Sequence, residues 1–310
     1  MTRITTTLFA LLLSAGLIGC GGNDAPETTD GTTDETVETP SDSDKEVITQ
    51  KGSDTMVLLA QKWAEVYATK NDAVQIQVSG GGSGTGISAL INGTTQIANA
   101  SRPMKEEEKA QMKAKYGVDP VEVAVAKDGI TVYVHPDNSI ESLTTEQLRG
   151  IFEGAINNWS ELGGADAPIV RYGRENSSGT YDFFKEHVLD KGDFAKETAA
   201  LPGTAAVVNA VSKDANGIGY GGAAYSSGIR IIKLSSDGGE ALEPSLENVS
   251  SGAYPLARDL YFYMAEPPFG AMKEFIDWIL TPEGQAFTRE MEYFPVTAAV
   301  SEEAATEEGA

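Results

Sequence analysis

Two stretches place small hydroxyl residues and glycine where a helical pattern begins, the arrangement that suits capture of an anion. Ser79-Gly80-Gly81-Gly82-Ser83-Gly84-Thr85-Gly86-Ile87 follows the alternating run Val74-Gln75-Ile76-Gln77-Val78. That run reads as a strand with Val74, Ile76 and Val78 on one face, and Ile87, Leu90 and Ile91 fit one face of a short helix beyond the turn. Glycine in such a turn keeps side chains away and leaves backbone N–H groups free at the positive end of a helix dipole. The second stretch, Arg174-Glu175-Asn176-Ser177-Ser178-Gly179-Thr180-Tyr181-Asp182-Phe183-Phe184, has the same character with an arginine at its head. Neither is a Walker A loop, since no Lys-Ser/Thr pair follows, and neither matches G-x-G-x-x-G. Read singly, each has a plain alternative: Ser83 and Thr85 as helix caps, Arg174 as a surface ion pair with Glu175.

A buried dianion needs a donor for every oxygen. Polar turns at 52–56, 82–87 and 177–181 can supply N–H groups and hydroxyls, and Arg174 a two-pronged charged contact. Other chemistries lack their residues. A phosphoester hydrolase needs an activated nucleophile or a metal cluster; the chain has no G-x-S-x-G, and its two histidines, His135 and His187, show no metal spacing. The expectation is a binding protein, not an enzyme, with no metal and no cofactor. His187, four residues after Phe183, reads as half-buried, and Trp63, Trp159 and Trp278 read as core.

The elements that must position these turns begin after an unusual N-terminal region. Leu8 to Leu13 form a short apolar core behind Arg3, and Leu17-Ile18-Gly19-Cys20 matches a lipobox. Residues 1–20 therefore read as a lipoprotein signal peptide, with Cys20, the only cysteine, as the lipidation site. Residues 21–46 read as an acidic disordered tether and 301–310 as an acidic tail. Of the net charge of −23, residues 1–46 carry −7 and the tail −4, leaving −12 on 47–300. A body this acidic is a poor partner for nucleic acid. It must hold an anion with local dipoles and a buried arginine against an adverse net field.

Residues 47–300 read as α/β, 310 residues being long for a single domain. Strands are expected at 47–50, 74–78, 121–125, 130–134, 169–172, 217–221, 229–234 and 259–264, with Lys127-Asp128-Gly129 breaking the pair at 121–134, and 96–103 reads as a further short strand ending in a polar turn. Helices are expected from about 54 to 70, with Met56, Leu59, Trp63, Val66 and Tyr67 inward, then at 106–115, after Thr144, at 180–189, 205–211, 269–280 and 283–291. The alternation argues for parallel sheets with ligands at strand C-termini.

Gly52-Ser53-Asp54-Thr55-Met56, the 79–87 loop, Ala100-Ser101-Arg102-Pro103 and Gly173–Thr180 stand in this order. Together they resemble the phosphate-binding protein of the bacterial ABC phosphate transporter. The likeness extends to 143–164, 217–225, Tyr254-Pro255-Leu256-Ala257-Arg258 and 275–295, nearly the whole body. The resemblance implies a two-lobed periplasmic-binding-protein fold of type II, with lobes at 47–128 plus 256–300 and at 129–255. Two crossing strands near Asp128-Gly129 and Ala257-Arg258 would form the hinge. It implies capture of inorganic phosphate for an ABC permease by a monomer exported and lipid-anchored at the cell envelope. Receptors for other tetrahedral oxyanions such as sulfate, or a phosphate sensor without transport, are the alternatives.

By position in the motifs, Ser83, Arg174, Ser178, Gly179 and Thr180 match ligand contacts. Gly82 belongs to the same loop, Ser101 is a further contact, and Ser53 and Thr55 offer hydroxyls. Arg102 either touches the anion or braces its loop. One branch of the family places an Asp where Arg102 stands here. Asp54, in the first turn, is then the candidate acceptor for the phosphate proton, its alternative being a helix N-cap.

Overall fold

The computed structural model describes residues 45–236 and 238–296. The signal peptide, Cys20, the tether up to residue 44 and the acidic tail lie outside the described residues. β1 (Glu46–Gly52) takes in the last residue assigned to the tether.

β1 lies between β2 (Val74–Ser79) and β3 (Ile97–Ala100), parallel to both. The connections are helical, as the sequence pattern requires: α1 (Val57–Ala68) after a 3-10 turn at Asp54–Met56, and α2 (Ser83–Asn92) after the glycine loop. α3 (Glu106–Tyr116) follows β3. A similar layer is built by β6 (Val170–Arg174), β7 (Ala199–Leu201) and β8 (Gly217–Gly222), with β6 parallel to both neighbours. α5 (Gly179–His187) and α6 (Thr204–Val211) are its helices. α4 (Thr145–Glu153) starts at a reciprocal capping box in which Thr144 and Gln147 exchange backbone and side-chain bonds, the local signature of a helix start.

The middle of the sheet departs from the parallel expectation. β4 is one continuous strand, Val121–Val134, without the break expected at Lys127-Asp128-Gly129. β10 (Ala257–Met264) runs antiparallel to its first part, pairing Ala257 with Gly129, Arg258 with Asp128 and Asp259 with Lys127. Phe294 and Lys127 also exchange backbone bonds, at 2.7 and 3.0 Å. An Asp-Gly pair favours a turn only where no ladder competes; here neighbours on both sides hold the backbone extended. The second part of β4 continues between β8 and β9 (Arg230–Ser235), antiparallel to both. The resulting order is β2-β1-β3-β10-β4-β8-β6-β7, with β5 (Ser142–Thr144) paired to β9. Three short elements escaped the sequence reading: β5, β7 and α7 (Leu246–Ser250). None is long enough to show a period.

Apolar side chains on the two sides of Asp128–Gly129 join different cores. One gathers Ile48, Trp63, Val125, Phe262 and Phe275, closed by α8 (Gly270–Ile279) and α9 (Pro282–Glu290). The other gathers Ile130, Phe152, Trp159, Phe184 and Tyr220, with the Phe184 and Tyr220 rings stacked at 3.9 Å. Trp63 and Trp159 are core as expected and Trp278 is partly buried. His187 is exposed rather than half-buried, its ring lying on that of Phe183 at 4.0 Å. No helix among the described residues is long and apolar enough to cross a membrane.

Candidate functional site

The three polar turns converge. β1, β3 and β6 end at the same level, delivering Ser53-Asp54-Thr55, Ser101-Arg102 and Arg174 to one place, and the first turns of α2 and α5 meet there. Glycine at two positions permits the approach. A Cβ on Gly82 would lie 2.4 Å from Ser177 O, and one on Gly179 would lie 2.3 Å from Ser83 Oγ. Gly84 N donates to Ser177 O at 2.9 Å, fastening the glycine loop to the turn before α5.

Six hydroxyl side chains, all buried, line the junction. Ser53 Oγ donates to Ser101 Oγ at 2.8 Å, Ser83 Oγ lies 3.3 Å from Ser101 Oγ, and Ser101 N donates to Ser83 Oγ at 3.0 Å. Thr55 Oγ1 and Thr180 Oγ1 lie 3.0 Å apart. Ser178 caps α5, accepting from Thr180 N and Tyr181 N at 3.2 and 3.3 Å. With two helix N-termini pointing into the same junction, the local field favours negative charge.

Arg174 is 3% exposed. Its Nη2 donates to Asp54 Oδ2 at 2.9 Å and its Nη1 to Thr204 Oγ1 at 2.8 Å, while the buried Nε has no acceptor. Burial pulls its guanidinium below the ordinary arginine value, with Asp54 opposing the shift. A buried donor without a partner costs about 1–3 kcal/mol, which an anion's oxygen would offset.

Asp54 does not cap the turn that it opens. The residue in the cap position is Ser53, and it makes no side-chain cap bond. Asp54 instead accepts from Gly81 N through Oδ1, at 2.8 Å, and from Arg174 through Oδ2. Its backbone oxygen accepts from Tyr225 OH at 2.8 Å.

The glycine loop is less open than its composition implied. The N–H groups of Gly81, Gly82 and Gly84 are taken by Asp54 Oδ1, Gly52 O and Ser177 O. Gly82 therefore contributes clearance rather than a free N–H, because a loop this tightly folded bonds to what it folds against. Arg102 is likewise engaged. Nε donates to Asp182 Oδ2 at 2.9 Å, Nη2 to Glu108 Oε1 at 2.7 Å, and Nη1 to Glu108 Oε2 and Pro103 O at 2.8 and 2.9 Å. All three guanidinium nitrogens of Arg102 thus have protein partners.

The sequence matches the PBP superfamily domain over residues 26–283. The phosphate-binding protein PstS of Pseudomonas aeruginosa (strain PAO1) is 37% identical over 276 residues, covering 83% of this chain and 85% of that protein. The chain belongs to the PstS family. The PstS of Staphylococcus epidermidis (strain RP62A) is 34% identical, covering 76% of this chain and 75% of its own length. Among solved structures, a Clostridium perfringens protein assigned as a phosphate ABC transporter substrate-binding protein, with phosphate bound, superposes with a TM-score of 0.74. It is 32% identical and covers 81% of this chain and 100% of its own. An ABC-type phosphate transport receptor from Vibrio cholerae superposes with a TM-score of 0.65 at 26% identity, covering 80% of this chain and 99% of its own. The fold is thus the type II periplasmic-binding-protein fold, and the family is one of substrate-binding receptors rather than enzymes.

In this PstS-family chain four residues at the junction were missed as site residues: Asp128, Thr204, Tyr225 and Arg258. Thr204 and Tyr225 hold Arg174 and Asp54, as above. Arg258 Nε and Nη2 donate to Asp128 Oδ2 at 3.1 and 2.7 Å, and both residues are buried. The Asp128 signal was masked by its Asp-Gly context, and Arg258, like Asp128, was placed at the hinge rather than in the site, although the alternation of β10 sets it on the buried face with Leu260 and Phe262. Around them, burial raises the phenols of Tyr133 and Tyr293 well above the usual range and pushes Tyr225 up to about 12. All three stay neutral hydrogen-bond donors; Tyr133 donates to Gly222 O and Tyr293 to Thr55 O. Among the described residues no group of three potential metal ligands occurs.

Proposed function

We propose that this chain is an extracytoplasmic receptor that captures inorganic phosphate between two lobes and delivers it to an ABC permease. The observation that carries the reading is Arg174, a buried guanidinium with an unpartnered Nε, set among six buried hydroxyls and the N-termini of α2 and α5. Phosphate ligands are Arg174, Ser83, Ser101, Ser178, Gly179 and Thr180, with Ser53 and Thr55 completing the hydroxyl shell. Asp54 accepts the proton of monohydrogen phosphate. Gly82 gives the loop its close approach, and Arg102 holds that loop in place.

The lobes are 47–128 plus 256–300 and 129–255, hinged where β4 and β10 cross at Asp128–Gly129 and Ala257–Arg258. The division of the apolar core on either side of Asp128–Gly129 supports this placement. Cys20 carries the lipid, residues 21–44 tether the body to the membrane surface, and the receptor works as a monomer. Fractionation of a Cys20→Ser variant tests the anchor: that protein should be released in soluble form, and its retention in salt-washed membranes would refute lipidation at this residue.

The test of function is calorimetric titration of the purified body with phosphate, arsenate and sulfate. Phosphate should bind saturably at one site, arsenate should displace it, and sulfate should do neither. Preference for sulfate over phosphate would instead make the protein a sulfate receptor.

A further inference from the structure

A second buried cation abuts the proposed phosphate site, and its role rests on that reading. Arg258 on β10 is fixed by Asp128 on β4 through two bonds to Oδ2, and its Nη1 donates to Ser101 O at 2.8 Å. The same Nη2 that reaches Asp128 also donates to Thr180 Oγ1 at 3.0 Å and to Thr55 Oγ1 at 3.4 Å. The guanidinium carbon lies 5.6 Å from the centroid of the Phe183 ring. One cation thus reaches hydroxyls from two turns that are 125 residues apart in sequence and 3.0 Å apart in space.

Counting hydrogens shows what this does. Nη2 carries two, one for Asp128 and one shared by the two threonine oxygens. Each hydroxyl has a single hydrogen, and one of the two closes the contact between Thr55 and Thr180. The remaining hydrogen is left for a ligand, while both oxygens already face a cationic N–H and make poor acceptors. We propose that Arg258, held by Asp128, is a positioning residue that biases the Thr55–Thr180 corner toward donating and so orients monohydrogen phosphate, with unprotonated oxygens at this corner and the P–OH toward Asp54. A second ligand proton, as in dihydrogen phosphate, then meets only weakened acceptors here, and the site favours the dianion.

The charged and titratable groups around Arg258 are Asp128 and Tyr133 on β4, Asp54 and Arg102 in the turns after β1 and β3, and Arg174 on β6. Also in this region are Asp182 on α5, Asp259 beside it on β10, and the phenols of Tyr225, Tyr254 and Tyr293. The phenols, all raised by burial, stay neutral throughout the range tested.

The test is the phosphate Kd at about pH 6 and about pH 8, measured by calorimetry on wild type, Arg258→Lys and the double variant Asp128→Asn/Arg258→Gln. The double variant removes both buried charges without stranding either. Wild type should bind more weakly at the lower pH. In the double variant, where the threonine oxygens no longer face a cationic N–H and can accept a P–OH, the ratio of the two Kd values should shrink by about fivefold or more, roughly 1 kcal/mol. Arg258→Lys, which keeps the charge but loses the fork, should lie between. A merely structural role would weaken binding equally at both pH values, and an unchanged ratio overturns the proposal. If the double variant does not fold, the ratio for Arg258→Lys decides by the same criterion. Absence of phosphate binding by wild type would overturn the receptor reading itself, a result distinct from tight binding with an unmoved ratio.

Discussion

Arg102 and Arg174 are both buried arginines beside a ligand turn, 5% and 3% exposed, and each is paired with carboxylate. Their surroundings differ in the way expected of a brace and of the proposed ligand. Arg102 faces two carboxylates, Glu108 and Asp182, which outweigh the effect of burial and leave its guanidinium above the ordinary arginine value. Arg174 faces one, Asp54, and there burial outweighs the partner and the shift is downward. The Nε of Arg102 is bonded, whereas that of Arg174 has no acceptor. A buried cation neutralised more than once offers little to an anion. One neutralised incompletely, with a donor to spare, is where an added anion lowers the energy most.

The largest effect should come from removing the incompletely neutralised cation. Arg174→Ala takes away a charge-assisted contact and strands Asp54 beside the anion, a loss of about 3 kcal/mol or more. Phosphate affinity measured by calorimetry should fall by about 100-fold or more. A Kd within threefold of wild type would erase the distinction between the two arginines.

Asp54→Asn sharpens the same contrast from the partner's side. The carboxylate paired with Arg174 is the proposed acceptor of the phosphate proton, and in that role it should reject an anion with no proton to offer. Its loss should let sulfate compete with phosphate at about pH 7.5, strengthening sulfate binding by about tenfold or more, roughly 1.4 kcal/mol. Equal exclusion of sulfate by wild type and variant in a competition titration would return Asp54 to the role of a structural tie between Gly81 and Arg174.

Arg102→Ala should have the smallest effect on binding, a loss of under about tenfold in phosphate affinity, with its main cost in stability. It removes the main partner of the partly exposed Glu108 and Asp182 carboxylates, leaving Lys105 as the remaining partner of both. Solvent access reduces the penalty below that of a fully buried pair, to about 2 kcal/mol, which thermal unfolding should register as a fall in Tm of several degrees. A loss of affinity matching that of Arg174→Ala, with Tm unchanged, would make Arg102 a ligand and the comparison false.

Much of this arrangement is carried by local sequence. The alternation in 74–78, the helix stripe from Leu59 to Tyr67, the Thr144 capping box and the hydroxyl-rich turns after β1 and before α5 are short-range patterns. Each expresses a backbone period or a cap that neighbours within a few residues decide. The same patterns mark Arg174, because a run of Ser, Gly and Thr at a helix start has few roles other than capping and anion binding.

What sequence left undetermined depends on partners far along the chain. Lys127-Asp128-Gly129 has the composition of a turn, and only the ladder with β10 and the exchange with Phe294 keep it extended. Arg258 reads only as a hinge position until its counter-ion, 130 residues away, and the hydroxyl of Thr180 are brought to it. Arg102 could touch the ligand or brace a loop until Asp182, 80 residues on, takes its Nε. The glycine loop's N–H groups count as free until Gly52 and Ser177 are seen to accept them. A periodic pattern records which face of an element is buried, but the identity of the opposing group is set by chain crossings that leave no periodic trace. For buried charges and backbone donors that identity decides the chemistry, since the same arginine is a ligand or a strut according to how many acceptors the tertiary fold places around it.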